Sequence, residues 1–254
     1  MNVNKRCGCY VERDAATGVL HAISKCQQHQ DMLRQEMASE EAHYQQLGAM
    51  DYPEVYVREF KECFGPLTPG PSPLGENSAL EIGAGTSPYI DMIRKAGYSY
   101  AAMEMSPFAV EWLQQHAGIA VVHRNWEDGG SGLTYSLILA AHCVEHMKHA
   151  PNAIKTMANE LAPLGRLYII VPDDEDLCNP DHWWFFTPAT LCQAVEAAGL
   201  QVQQLSVKRR VKREVTAAPD HLVLRNALQP RQRLSARSHV PRHAPIVLVA
   251  AAAT

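Results

Sequence analysis

The sequence predicts an α/β fold built on a doubly wound, mostly parallel sheet. From residue 78 to residue 207, apolar segments alternate with amphipathic ones at the spacing of strand–helix units. The apolar segment 79–82 ends in Gly83-Ala84-Gly85, a turn whose glycines let a ligand approach the main chain closely. The next apolar segment ends in Glu104, where folds of this class hold ribose hydroxyls. These features predict a binding cleft at the carboxyl ends of the strands.

Each element of this core domain, 78–207, follows from a local pattern. Short apolar runs between turn residues predict strands at 79–82, 99–104, 119–123, 135–141, 166–171 and 200–207. Apolar residues that recur every three or four positions predict helices at 88–96, 107–116, 151–162 and 188–198. A helix between consecutive strands returns the chain to the same end of the sheet, so neighbouring strands run parallel.

Residues 1–30 contain two pairs of metal-ligand residue types separated by sixteen residues. The intervening pattern predicts a hairpin that turns at 16–18 and would bring the pairs together. Three thiolates and one imidazole form a closed, structural zinc site, a zinc knuckle. The predicted ligands are Cys7, Cys9, Cys26 and His29. The alternative is a terminus with incidental cysteines, and the sequence leaves both interpretations open.

Two segments separate this unit from the core. Residues 31–65 are predicted as helices, the second from Pro53 to Phe64, that form a helical lid over the cleft or simply pack against the sheet edge. Residues 66–77 contain four prolines and two glycines and are predicted as a linker, because such composition does not sustain regular structure.

The segment 208–254 is a basic tail. Between Lys208 and Arg242 it has ten Lys or Arg residues and two acids, a charge of +8 in a chain of net charge −4. Such a tail indicates nucleic-acid affinity, a solvated extension, or a segment docked on the acidic remainder of the chain.

Composition narrows the class of protein. With 254 residues, 46% of them hydrophobic and 20% charged, the chain can bury a full core. We find no apolar run long enough for a membrane span and no signal-peptide core, and seven cysteines without such a signal favour reduced thiols or metal ligands. We therefore expect a cytoplasmic protein without membrane contact, of undetermined oligomeric state.

The glycine turn discriminates between cofactors. A dinucleotide fingerprint requires a third glycine three residues after Gly85, and Pro88 stands there. Proline fits the first turn of a helix but does not provide the close helix–strand contact of a missing side chain. A nicotinamide oxidoreductase is therefore disfavoured, and S-adenosylmethionine is the remaining interpretation.

Glu81-Ile82-Gly83-Ala84-Gly85-Thr86 resembles the first motif of class I S-adenosylmethionine-dependent methyltransferases, which is an acid followed by Gly-x-Gly. Further matches, in family order, are Glu104, the segment 121–128, Val144-Glu145-His146 (typical of small-molecule members), the segment 163–172 and the segment 182–187. The resemblance covers residues 76–207. It departs from the family pattern at Ser136 and at Asn125, where members often have Asp.

The resemblance implies a Rossmann-like sheet of seven strands whose last strand, expected within 246–249, returns antiparallel. It also implies a set of cofactor contacts: Glu81, Gly83, Gly85, Thr86, Glu104, Met105, Asn125, Trp126, Glu127 and His142. A general base is needed only where the acceptor must lose a proton. His142 and His182 are the candidate catalytic residues for that role. Glu145 and His146 are expected to be structural.

These observations predict a methyltransferase that acts on a small molecule. The alternative is a nucleic-acid-binding or adaptor protein that retains the fold, supported by the basic tail and the N-terminal cysteines.

Overall fold

Seven strands form a sheet at the centre of the computed structural model, which describes residues 2–3, 9–31, 52–69, 77–173, 181–207 and 245–252. In chain order the strands are β1 (Asn2–Val3), β2 (Tyr10–Arg13), β3 (Leu20–Ser24), β4 (Ser78–Ile82), β5 (Ser99–Glu104), β6 (Ala120–His123), β7 (Tyr135–Ala141), β8 (Leu161–Pro172), β9 (Trp184–Phe185), β10 (Leu200–Val207) and β11 (Pro245–Ala252). The helices are α1 (Tyr52–Phe64), α2 (Ile90–Lys95), α3 (Pro107–Trp112), α4 (Ala150–Asn159) and α5 (Pro188–Ala197).

The central sheet has the strand order β10–β11–β8–β7–β4–β5–β6. β11 runs antiparallel to both of its neighbours, and the pairs from β8 to β6 are parallel. The antiparallel strand expected within 246–249 is present, with Ile246 opposite Val171 and Leu248 opposite Ile169. The predicted α/β class with a mostly parallel, seven-stranded sheet is confirmed.

The parallel register brings the tips of three strands to one edge of the sheet. Ile82 at the end of β4 pairs with Met103 of β5 on one side and with Ala140 of β7 on the other. The residues that follow these three strands therefore meet, as the sequence predicted for the cleft.

Helices cover both faces of the sheet. Along β8, Leu167 and Ile169 belong to one apolar cluster and Tyr168 and Ile170 to another, because alternate side chains point to opposite faces. The first cluster includes residues of α4 and α5, and the second includes residues of α1 and α2. In the described part of the chain, every helix is too short or too polar to cross a bilayer.

The turn into β8 differs from prediction. Helix α4 ends at Asn159 and β8 begins at Leu161, although the sequence predicted helix to 162 and strand only from 166. Leu164 has φ +65°, and a Cβ on Gly165 would lie 2.8 Å from the carbonyl oxygen of Ala162. The pairing with β7 shifts across this stretch, so the Pro-Leu-Gly turn is a bulge within the strand.

Helix α1 packs on the sheet and also reaches the cleft. The Phe60 ring is buried, with its centroid 5.4 Å from the Tyr168 ring of β8. One turn earlier, the Tyr56 ring lies 5.7 Å from that of His142. Helix α1 therefore packs on the sheet through Phe60 and contacts the residue that follows β7 through Tyr56, and its role as a lid stays a prediction. Residues 32–51, the rest of the predicted lid, lie outside the described residues.

The N-terminal hairpin is present and is joined to the core. Asp14 accepts hydrogen bonds from the backbone N–H and the hydroxyl of Thr17, and Gly18 takes φ +69° to close the turn. β3 then pairs with β9, which gives a second sheet in the order β1–β2–β3–β9. The hairpin therefore shares a sheet with the segment that carries His182. Most of the predicted linker, at 70–76, and the basic tail up to 244 lie outside the described residues.

Candidate active site

The glycine turn after β4 has a conformation and a neighbour that only glycine tolerates. Gly83 has φ +65° and Gly85 has φ +54°, both in the left-handed region. A Cβ on Gly83 would lie 2.7 Å from the Cβ of Cys143, which follows β7. The main chain at Gly83 is exposed, whereas Gly85 and Thr86 are half-buried. The turn therefore presents main chain at the sheet edge, with the Ala84 side chain buried.

Glu104 joins the tip of β5 to this turn. The residue is 4% exposed, and its carboxylate accepts three backbone hydrogen bonds: from Gly85 to Oε2 at 2.7 Å, and from Met105 and Ser106 to Oε1 at 2.7 and 2.8 Å. A carboxylate offers about four acceptor directions, so Oε2 retains one for a further donor. The side chain of Met105 is largely exposed beside it.

Glu81 lies beneath the turn as a buried carboxyl group. Its Oε2 accepts hydrogen bonds from the hydroxyls of Ser87 and Tyr100, each at 2.6 Å. Burial raises the pKa of Glu81 from its ordinary value of 4.5 to about 7, the charge of Glu104 raises it further, and the two hydroxyl bonds oppose the increase. Ser87 and Tyr100 were not predicted as site residues, because no sequence motif includes them and only their contact with Glu81 in the fold identifies them.

This pKa predicts a pH-dependent stability. The folded state holds the Glu81 proton more tightly than the unfolded state, so the contribution to the free energy of unfolding is largest below pH 4.5 and is lost as the pH rises to 7. Between pH 5 and pH 8 the wild type should lose about 2–3 kcal/mol relative to Glu81→Gln. Urea unfolding of both proteins across this range measures the difference. Parallel pH profiles would contradict the raised pKa.

Three of the expected cofactor contacts, Asn125, Trp126 and Glu127, have structural contacts of their own. The Asn125 side chain caps a short 3₁₀ turn by accepting from the backbone N–H of Glu127 at 3.0 Å. The carboxylate of Glu127 accepts from the N–H groups of Lys148 and His149, which precede α4. Trp126 is 3% exposed, and its indole N–H donates to the carbonyl of Ala153 in α4. The indole is therefore part of the core.

His142 follows β7 with a backbone conformation that is unusual for a residue with a side chain. It has φ +52°, and its N–H donates to the carbonyl of Ile170. Its ring is 29% exposed, with Nδ1 3.6 Å from Oε1 of Glu145. Non-glycine residues in this region occur preferentially at functional sites, where surrounding contacts impose the conformation. The imidazole therefore stands at the strand edge where the cleft opens.

Glu145 is the centre of a histidine cluster. Its side chain is 1% exposed, Oε1 lies 3.9 Å from Nε2 of His146, and Oε2 is buried without a hydrogen-bond partner. Burial opposes its ionisation, but the contact with the His142 ring and the neighbouring His146 outweigh this effect, so the pKa of Glu145 is lowered. His182 is buried and its ring lies 4.8 Å from that of His146. The two candidate catalytic histidines are thus connected through Glu145 and His146.

The N-terminal cluster brings three of its four predicted ligands together. One ligand atom each from Cys9, Cys26 and His29 lies within 4.8 Å of the others. The Cys9 Sγ is 3.1 Å from Nδ1 of His29 and accepts from the Cys26 backbone N–H at 3.3 Å. Burial, with the positive charge of Lys25, lowers the pKa of His29. Cys7, the fourth predicted ligand, lies outside the described residues.

A separate cleft of about 430 Å³ opens beside the hairpin. Its walls include Trp183 and Trp184, Lys148 and His149, and Asp14 of the hairpin. The glycine turn and Glu104 are not among its lining residues. We therefore place the candidate chemistry at the strand tips, where the buried carboxylates and the exposed backbone occur together.

Comparisons with known proteins agree with the fold. A family model described as a methyltransferase domain matches residues 50–205. No curated protein sequence matches the chain. Among solved structures, the 1,6-didemethyltoxoflavin-N1-methyltransferase of Burkholderia thailandensis, with bound 1,6-didemethyltoxoflavin and S-adenosylhomocysteine, has a TM-score of 0.58 at 13% identity, covering 96% of this chain and 99% of that one.

Two further structures are similar over most of their length. N-methyltransferase NodS of Bradyrhizobium japonicum, in complex with S-adenosylhomocysteine, has a TM-score of 0.57 at 12% identity, over 87% of this chain and 97% of that one. A chain from the complex between the Haloferax volcanii Trm112 methyltransferase activator and a methyltransferase has a TM-score of 0.59 at 14% identity, over 87% and 97%. At these identities the likeness concerns the fold. Because the family model spans more than half of the chain, the protein belongs to the methyltransferase domain family, with the class I S-adenosylmethionine-dependent fold.

Proposed function

We propose that the protein is an S-adenosylmethionine-dependent methyltransferase that acts on a small molecule. The observation that carries the proposal is the hydrogen bond between the backbone of Gly85 and the buried carboxylate of Glu104. It places the half-buried backbone of Gly85 and an acid with a remaining acceptor direction at the same point of the sheet edge. That combination suits a ligand with an amino-acid end and two adjacent hydroxyls.

The residues present fit this cofactor. The space that a Cβ on Gly83 would fill is bounded by Cys143, which leaves the main chain accessible from the cleft side. Gly83, Gly85 and Thr86 would hold the amino-acid end, and Glu104 would accept from the ribose hydroxyls. When bound, S-adenosylmethionine supplies a methyl group on a positively charged sulfur, already an activated leaving group.

His142 is the residue that we propose to face the acceptor. Its imidazole is partly exposed at the tip of β7, between the Tyr56 ring of α1 and the buried Glu145. Glu145 would orient the ring and stabilise its charged form if an acceptor proton were transferred to it. His182 is 5% exposed and faces His146, so its contribution to the acceptor site would be through the cluster.

A small acceptor is supported by one of the similar structures, the Burkholderia enzyme with its bound 1,6-didemethyltoxoflavin. The test has two steps. Calorimetry should detect S-adenosylhomocysteine binding to the full chain, and labelled methyl groups from S-adenosylmethionine should then appear in a metabolite fraction. If the folded chain binds no S-adenosylhomocysteine, the proposal fails. A salt-dependent shift of nucleic acid without methyl transfer would instead favour the alternative, a nucleic-acid-binding or adaptor protein that retains the fold.

We also propose that the N-terminal cluster binds one structural zinc ion. Cys9, Cys26 and His29 are thiol and imidazole ligands already within reach of one another. Cys7 would complete a tetrahedral set that leaves no open position for water, so the ion would stabilise the hairpin without taking part in chemistry. Because β3 pairs with β9, deletion of residues 1–30 would also disturb the core, and point substitutions give the cleaner test.

Cys26→Ser should remove one zinc ion per chain from protein purified without chelator, as measured by elemental analysis. Cys63→Ser is the matched control, because Cys63 is a buried cysteine of α1 that belongs to no ligand group among the described residues. Equal zinc contents of the two variants, or a wild type free of zinc, would refute the site.

A further inference from the structure

The histidine cluster after β7 has a feature that the methyl-transfer chemistry does not use. The carboxylate of Glu145 is 1% exposed, yet its Oε2 has no hydrogen-bond partner. A buried carboxylate oxygen without a hydrogen-bond partner carries the full cost of its desolvation. Such an atom indicates that a bound water or ion completes the site.

The surrounding side chains favour an ion over water. Ligand atoms of Glu145, His146 and His182 all lie within 4.8 Å of one another. Metal–nitrogen and metal–oxygen bonds of about 2.0–2.2 Å require ligand atoms roughly 3–4 Å apart, so small side-chain rotations would complete a coordination sphere. Two imidazoles and one carboxylate form a recognised ligand set for divalent transition metals.

A second carboxylate supports the same interpretation. Nε2 of His146 is directed toward Glu145, while its Nδ1 lies 3.5 Å from Oδ2 of Asp181. Metal-binding histidines commonly have a carboxylate on the nitrogen that does not bind the metal, because this contact fixes the tautomer and the ring orientation. Asp181 was not predicted as a site residue, and its signal in the sequence is its position immediately before His182.

Access and charge are also compatible with a cation. The His146 side chain is 37% exposed, which gives an ion a path to the buried Glu145. Glu145 and Asp181 supply two negative charges around two imidazoles. An ion paired with this cluster would therefore be electrically balanced.

We propose that Glu145, His146 and His182 bind one divalent transition-metal ion at the tip of β7, with Asp181 orienting His146. Three protein ligands leave coordination positions for water or for an oxygen-bearing ligand. His142, whose Nδ1 lies 3.6 Å from Oε1 of Glu145, borders the site. Binding of the ion itself does not depend on the proposed methyltransferase activity, although its place beside His142 would put it in contact with the acceptor.

Cobalt(II) is the probe, because its spectrum separates this site from the N-terminal thiolates. The full chain is treated with chelator, dialysed and titrated. Cobalt bound here should give weak visible bands without the sulfur-to-metal charge transfer that Cys9 and Cys26 would produce. One equivalent of such cobalt supports the proposal. Only sulfur-bound cobalt, or none, overturns it, and this measurement requires no substitution.

Variants locate the ion. Glu145→Gln and His182→Gln should each bind one ion fewer than wild type, with at least a tenfold loss of affinity for cobalt and zinc. His116→Ala, in the exposed turn that follows α3, is the matched control and should bind as wild type does. Binding of S-adenosylhomocysteine, measured on the same samples, reports whether the cofactor cleft is intact. Unchanged stoichiometry in both folded variants would overturn the site and would leave the proposed methyltransferase function standing.

Discussion

Gly83→Val should abolish detectable binding of S-adenosylhomocysteine. Valine at φ +65° takes a backbone conformation that β-branched residues avoid, and its Cβ would lie 2.7 Å from the Cβ of Cys143. Relief of the collision requires the glycine turn or the tip of β7 to move, and both line the cleft. We expect an affinity loss of about 100-fold or more, equivalent to about 3 kcal/mol, by calorimetry.

A matched control separates backbone strain from the site. Gly118 has φ +57°, and a Cβ there would have no neighbour within 4 Å, so Gly118→Val has a similar conformational cost outside the cleft. It should lower the thermal midpoint and leave affinity unchanged. In a Gly83→Ala background, Cys143→Gly removes the colliding Cβ and should restore part of the binding. Wild-type affinity in a folded Gly83→Val protein would rule out this turn as the cofactor site.

Glu104→Gln should weaken the binding of S-adenosylhomocysteine by about 2–3 kcal/mol, the scale of charge-assisted hydrogen bonds. Glutamine retains the shape of the side chain but replaces one acceptor oxygen with an NH₂ donor. In the wild type, three backbone N–H groups point at the two carboxylate oxygens. In the variant, at least one of these N–H groups would therefore face the NH₂ donor of glutamine. The variant should therefore lose both the bond to Gly85 and the acceptor for the ribose.

Glu160→Gln is the control for loss of a buried carboxylate. Glu160 is 8% exposed and accepts hydrogen bonds from the Ser131 hydroxyl and the Gly132 N–H, but it lies beside the start of β7 and not its tip. The Glu160→Gln variant should have a lower free energy of unfolding, while its cofactor affinity stays within about twofold of wild type. An equal loss of affinity in both variants would mean that the effect of Glu104 is general destabilisation.

The sequence predicted the sheet well because its signals are local. Apolar runs locate β4, β5 and β7, and the glycines after β4 indicate where the parallel strands expose backbone. The acid at the end of β5 is likewise readable, since register alone brings it beside the turn. The seventh strand was located through the family resemblance, because the pattern of 246–249 does not say which strands it lies between.

The remaining features depend on contacts between distant residues. No local pattern predicts that His142 has a positive φ, because the conformation is imposed by neighbours such as Ile170. In the sequence, the bulge at Leu164 has the pattern of an ordinary Pro-Gly turn. The pairing of His21 with Trp184 joins residues more than 160 positions apart, so the hairpin seemed independent when it is part of a shared sheet. The absence of a hydrogen-bond partner for Oε2 of Glu145 can be recognised only from the hydrogen bonds of the folded structure.

The position of β11 between β8 and β10 has a consequence for how this chain folds. β11, the last strand in the described part of the chain, lies between two other strands, so the sheet cannot be completed until residues 245–252 have been synthesised. Until then β8 has an open edge, and the apolar residues that Ile246 and Leu248 later cover remain accessible to other chains. Pairing of such distant segments makes folding slow, because loop closure precedes the stabilising contacts. The native sheet can therefore form only after β11 has been synthesised, well after the glycine turn.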